Sequence, residues 1–325
     1  MSRSFNAHST TEDVLSGLSL IGKRYLVTGI SAGLGVETAR ALVAHGAEVV
    51  GTARDLVKAR QATAMIDPAL FSIEELDLAD LASVRACTDR IRAAATPISG
   101  FDAIIANAGV MATPFGFTSD GFETQFGTNH LGHFVLVNRL IPLIKPGGRV
   151  VMLSSAGHRY ADVDLEDPGF SCTEYTPFGA YGRSKTANIL FAVALDARHK
   201  AHGIRAVAMH PGGIATELAR HMPEGQIEVM IDDINRQEAE AGRPPFSFKS
   251  IPQGAASAVW AATIANPDEI GGRYGENCSI SAIVPDEAPL GITIPGVRAY
   301  AVDPERAEAL WSLSETMVGE TFPTP

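Results

Sequence analysis

The feature that most constrains the fold is a regular alternation, from Lys23 onward, of short apolar runs with longer amphipathic stretches. The predicted strands cover residues 24–29, 48–53, 71–77, 101–109, 149–155 and 204–211. The predicted helices cover residues 35–45, a stretch from Asp55, 82–95 (stopping at Pro97), about 129–144, about 180–201 and 304–318. Strands that alternate with helices in this way form βαβ units, whose right-handed crossovers build a parallel sheet covered on both faces.

The sequence therefore predicts an α/β fold, a single doubly wound Rossmann domain with a central parallel sheet and helices on both faces. Because no Pro/Gly-rich linker or internal repeat divides the chain, we expect one domain over residues 1–325, with residues 1–20 as an N-terminal extension. Two long insertions, residues 157–179 and 217–248, follow predicted strands. Open α/β sheets bind ligands at that edge, so 217–248 is the expected substrate loop, with a solvated helix over 232–243.

Composition excludes several classes of function. The 26 Lys and Arg residues against 37 Asp and Glu residues give a net charge of −11, which argues against a nucleic-acid partner. Three cysteines without a CxxC pair predict neither a disulfide framework nor a metal site, and favour the reducing cytoplasm. The apolar run 255–265 is shorter than the roughly 20 residues of a membrane span. His130 and His133 lack a third ligand at metal-site spacing, so we predict no metal.

A glycine-rich turn, TGISAGLG at 28–35, follows the first predicted strand. Gly29, Gly33 and Gly35 let the backbone turn sharply and let a pyrophosphate approach the helix that follows. The free N–H groups and the dipole of a helix N-terminus stabilise that negative charge. The turn therefore predicts a dinucleotide site.

The end of the second strand bears on which dinucleotide is bound. An acidic residue ~20 positions after the last glycine binds the ribose hydroxyls of NAD, whereas an arginine accommodates the 2′-phosphate of NADP. Ala53 stands at the acidic position and Arg54 follows it, which favours NADP. Asp55 keeps NAD open, because a shift of two residues would bring its carboxylate to the ribose.

Tyr181 and Lys185 are four residues apart at the start of a predicted helix, so their side chains lie on one face. They stand at the margin of the apolar stripe, which predicts a position at the edge of a cleft. A nearby ammonium favours the phenolate, so we expect Lys185 to lower the pKa of Tyr181.

With these motifs the sequence resembles the short-chain dehydrogenase/reductase family from about Lys23 to about Thr216. The resemblance is carried by TGISAGLG (28–35), Asp77-Leu78, Asn107-Ala108-Gly109, Asn129, Ser154-Ser155, YGRSK (181–185) and PGGIAT (211–216). The stretch after residue 270 and the long gap between Ser155 and Tyr181 are similar to the retinol-dehydrogenase-like branch.

The resemblance implies a catalytic role for four residues. Tyr181 would be the general acid or base, and Ser155 would hydrogen-bond the reacting oxygen. Lys185 would also hold the nicotinamide ribose, and Asn129 would hold a water that links Lys185 to solvent.

The resemblance also implies a set of cofactor contacts around the glycine turn and the strand ends. Asp77 would bind the adenine, while Ile214 and Thr216 would reach the carboxamide. With Arg54, the expected contacts are Gly29, Ser31, Gly33, Leu34, Gly35, Asp77, Leu78, Asn107, Ala108, Gly109, Tyr181, Lys185, Pro211, Gly212, Ile214 and Thr216.

The function that follows is the NADP-dependent interconversion of an alcohol and a carbonyl on a fairly apolar small molecule. Two alternatives remain open: a reductase of a C=C bond on the same fold, and a non-catalytic NADP-sensing protein. Relatives often pair through the helices that contain Asn129 and Tyr181, so a homo-oligomer is a further expectation.

Overall fold

The computed structural model describes residues 4–95 and 100–323, and its centre is an eight-stranded sheet in the order β3-β2-β1-β4-β5-β6-β7-β8. All neighbouring strands are parallel except the final β7–β8 pair. The strands are β1 (Arg24–Thr28), β2 (Glu48–Ala53), β3 (Phe71–Glu75), β4 (Phe101–Ala106), β5 (Ile144–Leu153), β6 (Arg205–His210), β7 (Arg273–Glu276) and β8 (Ser279–Ile280). A separate short pair joins β9 (Ile283–Val284) to β10 (Val297–Arg298).

Helices cover both faces of this sheet, each over its own apolar core. The helices are α1 (Thr11–Leu15), α2 (Gly33–Ala44), α3 (Leu56–Ala62), α4 (Leu81–Ala93), α5 (Thr124–Phe126), α6 (Gly132–Leu140), α7 (Pro177–His199), α8 (Gln226–Glu240), α9 (Ile251–Thr263), α10 (Pro267–Ile270) and α11 (Pro304–Val318). One core packs α4, α6, α7 and α11 on the sheet, and the other packs α1, α2, α3 and α9. The doubly wound parallel sheet predicted from the sequence is confirmed.

Two predicted boundaries were wrong, and a third is not tested. The helix expected near residue 129 begins earlier, at Thr124, and passes through a π-helical turn, Gly127–Leu131, before α6. Pro146, expected to follow that helix, lies inside β5, where the pairing with β4 shifts between Phe101 and Ala103. Pro97, the predicted stop of α4, lies outside the described residues.

The segment 217–248 was predicted as a loop, and most of it is helical. α8 begins at Gln226, before the charged stretch that predicted a helix over 232–243. Ile227, Met230, Ile231 and Ile234 recur at helical spacing, so α8 has an apolar face as well as a solvated one. The apolar run 255–265 belongs largely to α9, which packs against α2.

α11 closes the face of α6 and α7 that points away from the sheet. The ring of Trp311 lies 5.1 Å from that of Phe134 and 5.8 Å from that of Phe191, between centroids. α11 has the bounds predicted from the sequence and packs on the domain as expected. It covers the helices through which pairing between copies was expected.

The strand order reverses between β1 and β4, and a cavity of about 960 Å³ opens at the carboxyl ends of the central strands. Such a reversal point is where open α/β sheets bind their ligands. Within residues 4–95 and 100–323, no helix is both long enough and apolar enough to cross a membrane.

Candidate active site

The glycine turn forms one end of the cavity, which Ala32, Gly33 and Leu34 line. Gly29 has φ +77°, a conformation that favours glycine. A Cβ on Gly35 would lie 2.2 Å from the carbonyl oxygen of Gly29, so the start of α2 can approach the turn only without a side chain. Ala32, at the N-cap of α2, gives no side-chain hydrogen bond to the first turn. The helix N-terminus therefore presents backbone N–H groups without a side-chain cap, as an anion site requires.

Arg54 and Asp55 have different roles at the end of β2. Arg54 is exposed, and no hydrogen bond or ion pair joins it to any residue in the described part of the chain. The carboxylate of Asp55 caps α3 by accepting a hydrogen bond of 2.9 Å from the backbone N–H of Lys58. The cation is thus available to a ligand, whereas the carboxylate already serves a helix end.

Tyr181 and Lys185 lie at the floor of the cavity in the first turns of α7, each 4 % exposed. They were predicted at the margin of an apolar stripe, but nearly all of α7 from Ala180 to Leu195 is buried, because α11 covers its far side. The Lys185 ammonium lies 5.6 Å from the centroid of the Tyr181 ring and donates a hydrogen bond of 3.1 Å to the carbonyl oxygen of Leu153.

In the protein without bound cofactor, the pKa of Tyr181 is raised and not lowered, so the expected direction was wrong. Burial raises the pKa of Tyr181 to about 12, against a smaller lowering by its hydrogen bond with Ser155. Burial also lowers the pKa of Lys185 to about 8. Desolvation disfavours both charged forms, and the ammonium of Lys185 does not contribute to the shift of the Tyr181 pKa. Near neutral pH the phenol of Tyr181 is therefore protonated.

Ser155 stands directly after β5, beside the Tyr181 ring. Its hydroxyl accepts a hydrogen bond of 3.0 Å from the N–H of Gly157, at the start of a 3₁₀ turn, Ala156–Tyr160. A Cβ on Gly157 would lie 2.7 Å from Cε1 of Tyr181, so glycine is required for the ring to pack against this turn. The sequence analysis did not single out Gly157, although glycine two residues after a strand-end serine was the available signal.

Asn129 is fully buried behind Lys185, in the π-helical turn. Its Oδ1 accepts from the N–H of Val110 at 2.8 Å, and its Nδ2 donates to the carbonyl oxygen of Val110 and to Oγ of Ser184, both at 2.9 Å. Both side-chain donors are therefore already used, so a water at Asn129 would have to donate to one of its oxygen atoms. A Cβ on Gly109 would lie 3.0 Å from Oδ1 of Asn129 and 3.5 Å from Nζ of Lys185, so Gly109 allows this close packing.

The other predicted cofactor residues divide into two groups. The cavity is lined by Asn107, Gly109, Pro211, Gly212, Ile214 and Thr216 in addition to Gly33, Leu34, Tyr181 and Lys185. Gly29, Ser31, Gly35, Arg54, Asp77, Leu78 and Ala108 are not among its lining residues, and neither is the predicted catalytic residue Asn129. Asp77 accepts a hydrogen bond from the N–H of Ala79 at 2.9 Å, and Leu78 packs in the apolar core. The cofactor contacts of this second group stay predictions.

The opposite wall of the cavity is apolar and comes mainly from the segment after β6. α8 presents Ile227, Met230, Ile231 and Ile234 to the cavity. The remaining apolar lining side chains outside the glycine turn include Met111, Tyr160, Phe178, Met222, Phe246, Phe248, Ile251 and Ile292. Lys58 of α3 forms an ion pair with Glu217 at the base of this segment, so the wall is joined to the helix that follows Arg54.

The comparisons with known proteins agree with this geometry. The sequence model described as short chain dehydrogenase matches residues 23–227. The chain is 36% identical over 325 residues to the short-chain dehydrogenase/reductase prx1 of Penicillium roqueforti, covering 96% of this chain and 91% of that protein. It is 33% identical over 318 residues to retinol dehydrogenase 14 of Homo sapiens, covering 92% and 87%.

Solved structures show the same fold. The crystal structure of an uncharacterized protein from Mycobacterium paratuberculosis superposes with a TM-score of 0.72 at 33% identity, covering 95% of this chain and 98% of that one. A short chain dehydrogenase from Burkholderia cenocepacia J2315, solved in complex with NADP, superposes with a TM-score of 0.61 at 24% identity, covering 79% and 96%.

Proposed function

The chain belongs to the short-chain dehydrogenase/reductase family of oxidoreductases, and from that premise we propose that it interconverts an alcohol and a carbonyl group on a fairly apolar small molecule, with NADP as cofactor. One observation carries the proposal. A protonated, buried tyrosine lies at the floor of a cavity that has an uncapped helix N-terminus at one end and an apolar wall at the other.

The residues present fit a dinucleotide. The uncapped start of α2 at Gly33 would hold the pyrophosphate. Arg54, exposed and without a partner in the described ranges, would pair the 2′-phosphate, while the use of Asp55 as a helix cap argues against the NAD alternative. The NADP complex of the Burkholderia dehydrogenase supports the same choice.

The proposed chemistry of the chain is proton transfer at one oxygen. Bound NADPH would supply the hydride. Tyr181 would donate its phenolic proton to the carbonyl oxygen, which its raised pKa allows because the proton is retained near neutral pH. Ser155, beside the same ring, would hydrogen-bond that oxygen and stabilise the charge that develops there.

Lys185 would act as a positive charge close to the proton donor. Its ammonium is fixed on the carbonyl oxygen of Leu153, and Asn129 packs behind it through Gly109. A cation held in this way stabilises the phenolate that remains after proton transfer. In the reverse direction the same phenolate would accept the proton of the alcohol.

The apolar preference for the substrate rests on the wall formed by α8 and residues 246–251. The side chains there offer contact area but few hydrogen bonds, so they favour an apolar body attached to the reacting carbonyl. The kinship with retinol dehydrogenase 14 points the same way.

The experiment is a measurement of NADPH oxidation with a panel of aldehydes, ketones, quinones and enones of increasing apolar length, with product analysis. We expect alcohols as products, and a kcat/KM that rises with apolar length. Saturated carbonyl products would establish the C=C alternative instead. Tight NADPH binding without turnover of any compound would favour the cofactor-sensing alternative, against which the joint presence of Tyr181 and Lys185 in the cavity already argues.

We propose that the chain acts as one domain, with residues 217–248 as its substrate segment. Pairing of two copies through α6 and α7 would require α11 to leave these helices, because Trp311 packs on Phe134 and Phe191. We therefore do not expect the homo-oligomer to form through that face. The three free cysteines support a reducing compartment such as the cytoplasm.

A further inference from the structure

His133, at the start of α6, links the two halves of the candidate site. Its Nε2 lies 3.0 Å from Oγ1 of Thr28, which ends β1 directly before the glycine turn. Its Nδ1 lies 2.9 Å from the main-chain oxygen of Asn129, in the π-helical turn. His133, Thr28 and Asn129 are all fully buried. The imidazole thus joins the cofactor turn to the turn that carries Asn129.

The direction of each hydrogen bond follows from the donors available. Burial lowers the pKa of His133 to about 4, so near pH 7 the ring is neutral and carries one N–H. A carbonyl oxygen can only accept, so the hydrogen lies on Nδ1 and points to Asn129. The hydroxyl of Thr28 then donates to Nε2, and its oxygen accepts the N–H of Ala108 at 2.9 Å.

The connection continues on both sides of His133. Toward the cofactor end, Nδ2 of Asn107 donates to the main-chain oxygen of Thr28 at 2.8 Å. Toward the catalytic end, the side chain of Asn129 bonds Oγ of Ser184, which in turn donates to the main-chain oxygen of Tyr181 at 2.8 Å. Short π-helical segments inside α-helices are frequent at functional sites, and here the turn places Asn129 between His133 and Ser184.

We propose that His133 is a positioning residue that holds the glycine turn through one ring nitrogen and the Asn129 turn through the other. Each nitrogen supports a different step of the proposed reaction. Through Thr28, Nε2 fixes the glycine turn that would bind the dinucleotide. Through Asn129, Nδ1 fixes the packing behind Lys185. This role rests on the proposed function, since it assigns the two halves to cofactor binding and proton transfer.

Two substitutions of His133 separate the roles of its two ring nitrogens. In His133→Asn, the amide nitrogen stands near the place of Nδ1 and can donate to the carbonyl of Asn129. The same helix contains this bond already, because Nδ2 of Asn138 donates to the oxygen of Phe134, four residues earlier, at 2.9 Å. In His133→Gln, the longer side chain can offer an oxygen to Thr28 near the place of Nε2, but loses the donor to Asn129.

The proposal predicts opposite effects of these two variants. His133→Asn raises the Kd of NADPH, measured by fluorescence titration, by about tenfold, with kcat nearly unchanged. His133→Gln lowers kcat by roughly 10- to 100-fold, with the Kd of NADPH nearly unchanged, because small displacements at a reacting centre are costly.

Should a His133 variant fold poorly, substitutions of Thr28 test the same hydrogen bond from its other partner. Thr28→Val removes the hydroxyl but keeps the shape. It breaks the bond to His133 and also removes the acceptor for the N–H of Ala108, so it should raise the Kd of NADPH at least as much as His133→Asn does. Adding His133→Asn to Thr28→Val should raise the Kd no further, since the bond to His133 is already broken. Thr28→Ser keeps the hydroxyl and should retain the wild-type Kd.

The matched control is His130→Asn. His130 lies in the π-helical turn that also contains Asn129. It is buried, and its Nε2 is hydrogen-bonded to Oγ of Ser314 on α11, away from the cavity. We expect this variant to lower the free energy of unfolding while leaving kcat and the Kd of NADPH unchanged. Equal losses of kcat and affinity in His133→Asn and His133→Gln, or the same changes in His130→Asn, would overturn the proposal.

A measurement on the protein alone separates this proposal from the proposed function. Amide hydrogen exchange should speed up at Ala108 in His133→Asn, and not in His133→Gln, because only the former loses the acceptor that orients Thr28. This pattern in a protein that reduces no carbonyl would leave the linkage intact and reject the enzyme activity. The absence of the pattern in a protein that does reduce carbonyls would reject the linkage alone.

Discussion

The floor of the cavity and the helix α8 that faces it are held by different kinds of contact. On the floor and directly behind it, the polar atoms of Lys185, Asn129 and Ser184 are buried and fixed by hydrogen bonds of 2.8 to 3.1 Å. In α8 the side chains toward the cavity are apolar and half-buried except that of Glu228, which is exposed, and Glu238 is the buried polar residue. It accepts hydrogen bonds from Arg243 and Thr293, outside the cavity.

Because of these different contacts, the floor and the α8 wall can change independently. Hydrogen bonds fix direction, so the floor holds atoms in one geometry, and removing one partner leaves another buried group unsatisfied. Apolar contacts depend on area and shape, so the α8 wall can accept different side chains at modest cost. We expect substitutions on the floor to act on chemistry and stability, and substitutions in α8 to act on the choice of substrate.

The largest effect is expected at the proton donor. Tyr181→Phe removes only the phenolic oxygen, so turnover should fall by roughly 10²- to 10⁴-fold while the Kd of NADPH stays close to the wild-type value. Steady-state kinetics and a fluorescence titration measure the two quantities. Tyr25→Phe, a buried tyrosine of β1 away from the cavity, is the control. Retained turnover in Tyr181→Phe would mean that the proton comes from another group.

A second prediction concerns the cost of the buried cation. The pKa of Lys185 falls from 10.5 to about 8 on folding, so at pH 7 its charge destabilises the folded state. Lys185→Met should therefore raise the free energy of unfolding at pH 7 by up to about 3 kcal/mol, while activity is lost.

The difference in the free energy of unfolding between Lys185→Met and the wild type should depend on pH. Between pH 8 and 10.5 the unfolded state keeps the proton that folded Lys185 has lost, so wild-type stability rises with pH and the gap to Lys185→Met closes. Denaturant unfolding at several pH values measures this, with exposed Lys200→Met as the control. A gap that stays constant with pH would contradict the assigned cause.

At the cofactor end, Arg54→Ala should raise the KM for NADPH by roughly 10- to 100-fold and leave the KM for NADH nearly unchanged. The expected size is that of a hydrogen-bonded ion pair with the 2′-phosphate. Arg60→Ala, an exposed arginine on α3, should change neither constant. Equal effects of Arg54→Ala on both cofactors would remove Arg54 from the phosphate site.

The smallest effect is expected in the α8 wall, where it tests the comparison most directly. Ile231→Ala should lower kcat/KM for a long apolar substrate by about five- to tenfold, and that for a short one much less, with the Kd of NADPH unchanged. Val229→Ala, 60% exposed on the other face of α8, is the matched control. A loss of cofactor affinity in Ile231→Ala would show that floor and wall are not independent.

The sequence predicted which strand ends lie together because that grouping follows from the topology of the sheet. In a parallel sheet, every strand ends at the same edge, so Gly29, Asn107, Ser155 and Thr216 had to meet near one another. The helical spacing of Tyr181 and Lys185 then placed both side chains together. The errors in the fold lie at the start of the helix near residue 129, at Pro146 and in residues 217–248, where local sequence signals gave no indication of the packing partner.

The order of strands and helices, the glycine turn and the set of polar side chains at one edge of the sheet could all be read from the sequence alone. Only the tertiary structure decided the pKa direction of Tyr181, the use of Asp55 as a helix cap, the apolar face of α8 and the position of His133 between Thr28 and Asn129. The physical reason is that periodicity and turn chemistry act between near neighbours in the chain. Burial and hydrogen bonding depend on groups that folding brings together: Thr28 and His133 are 105 residues apart.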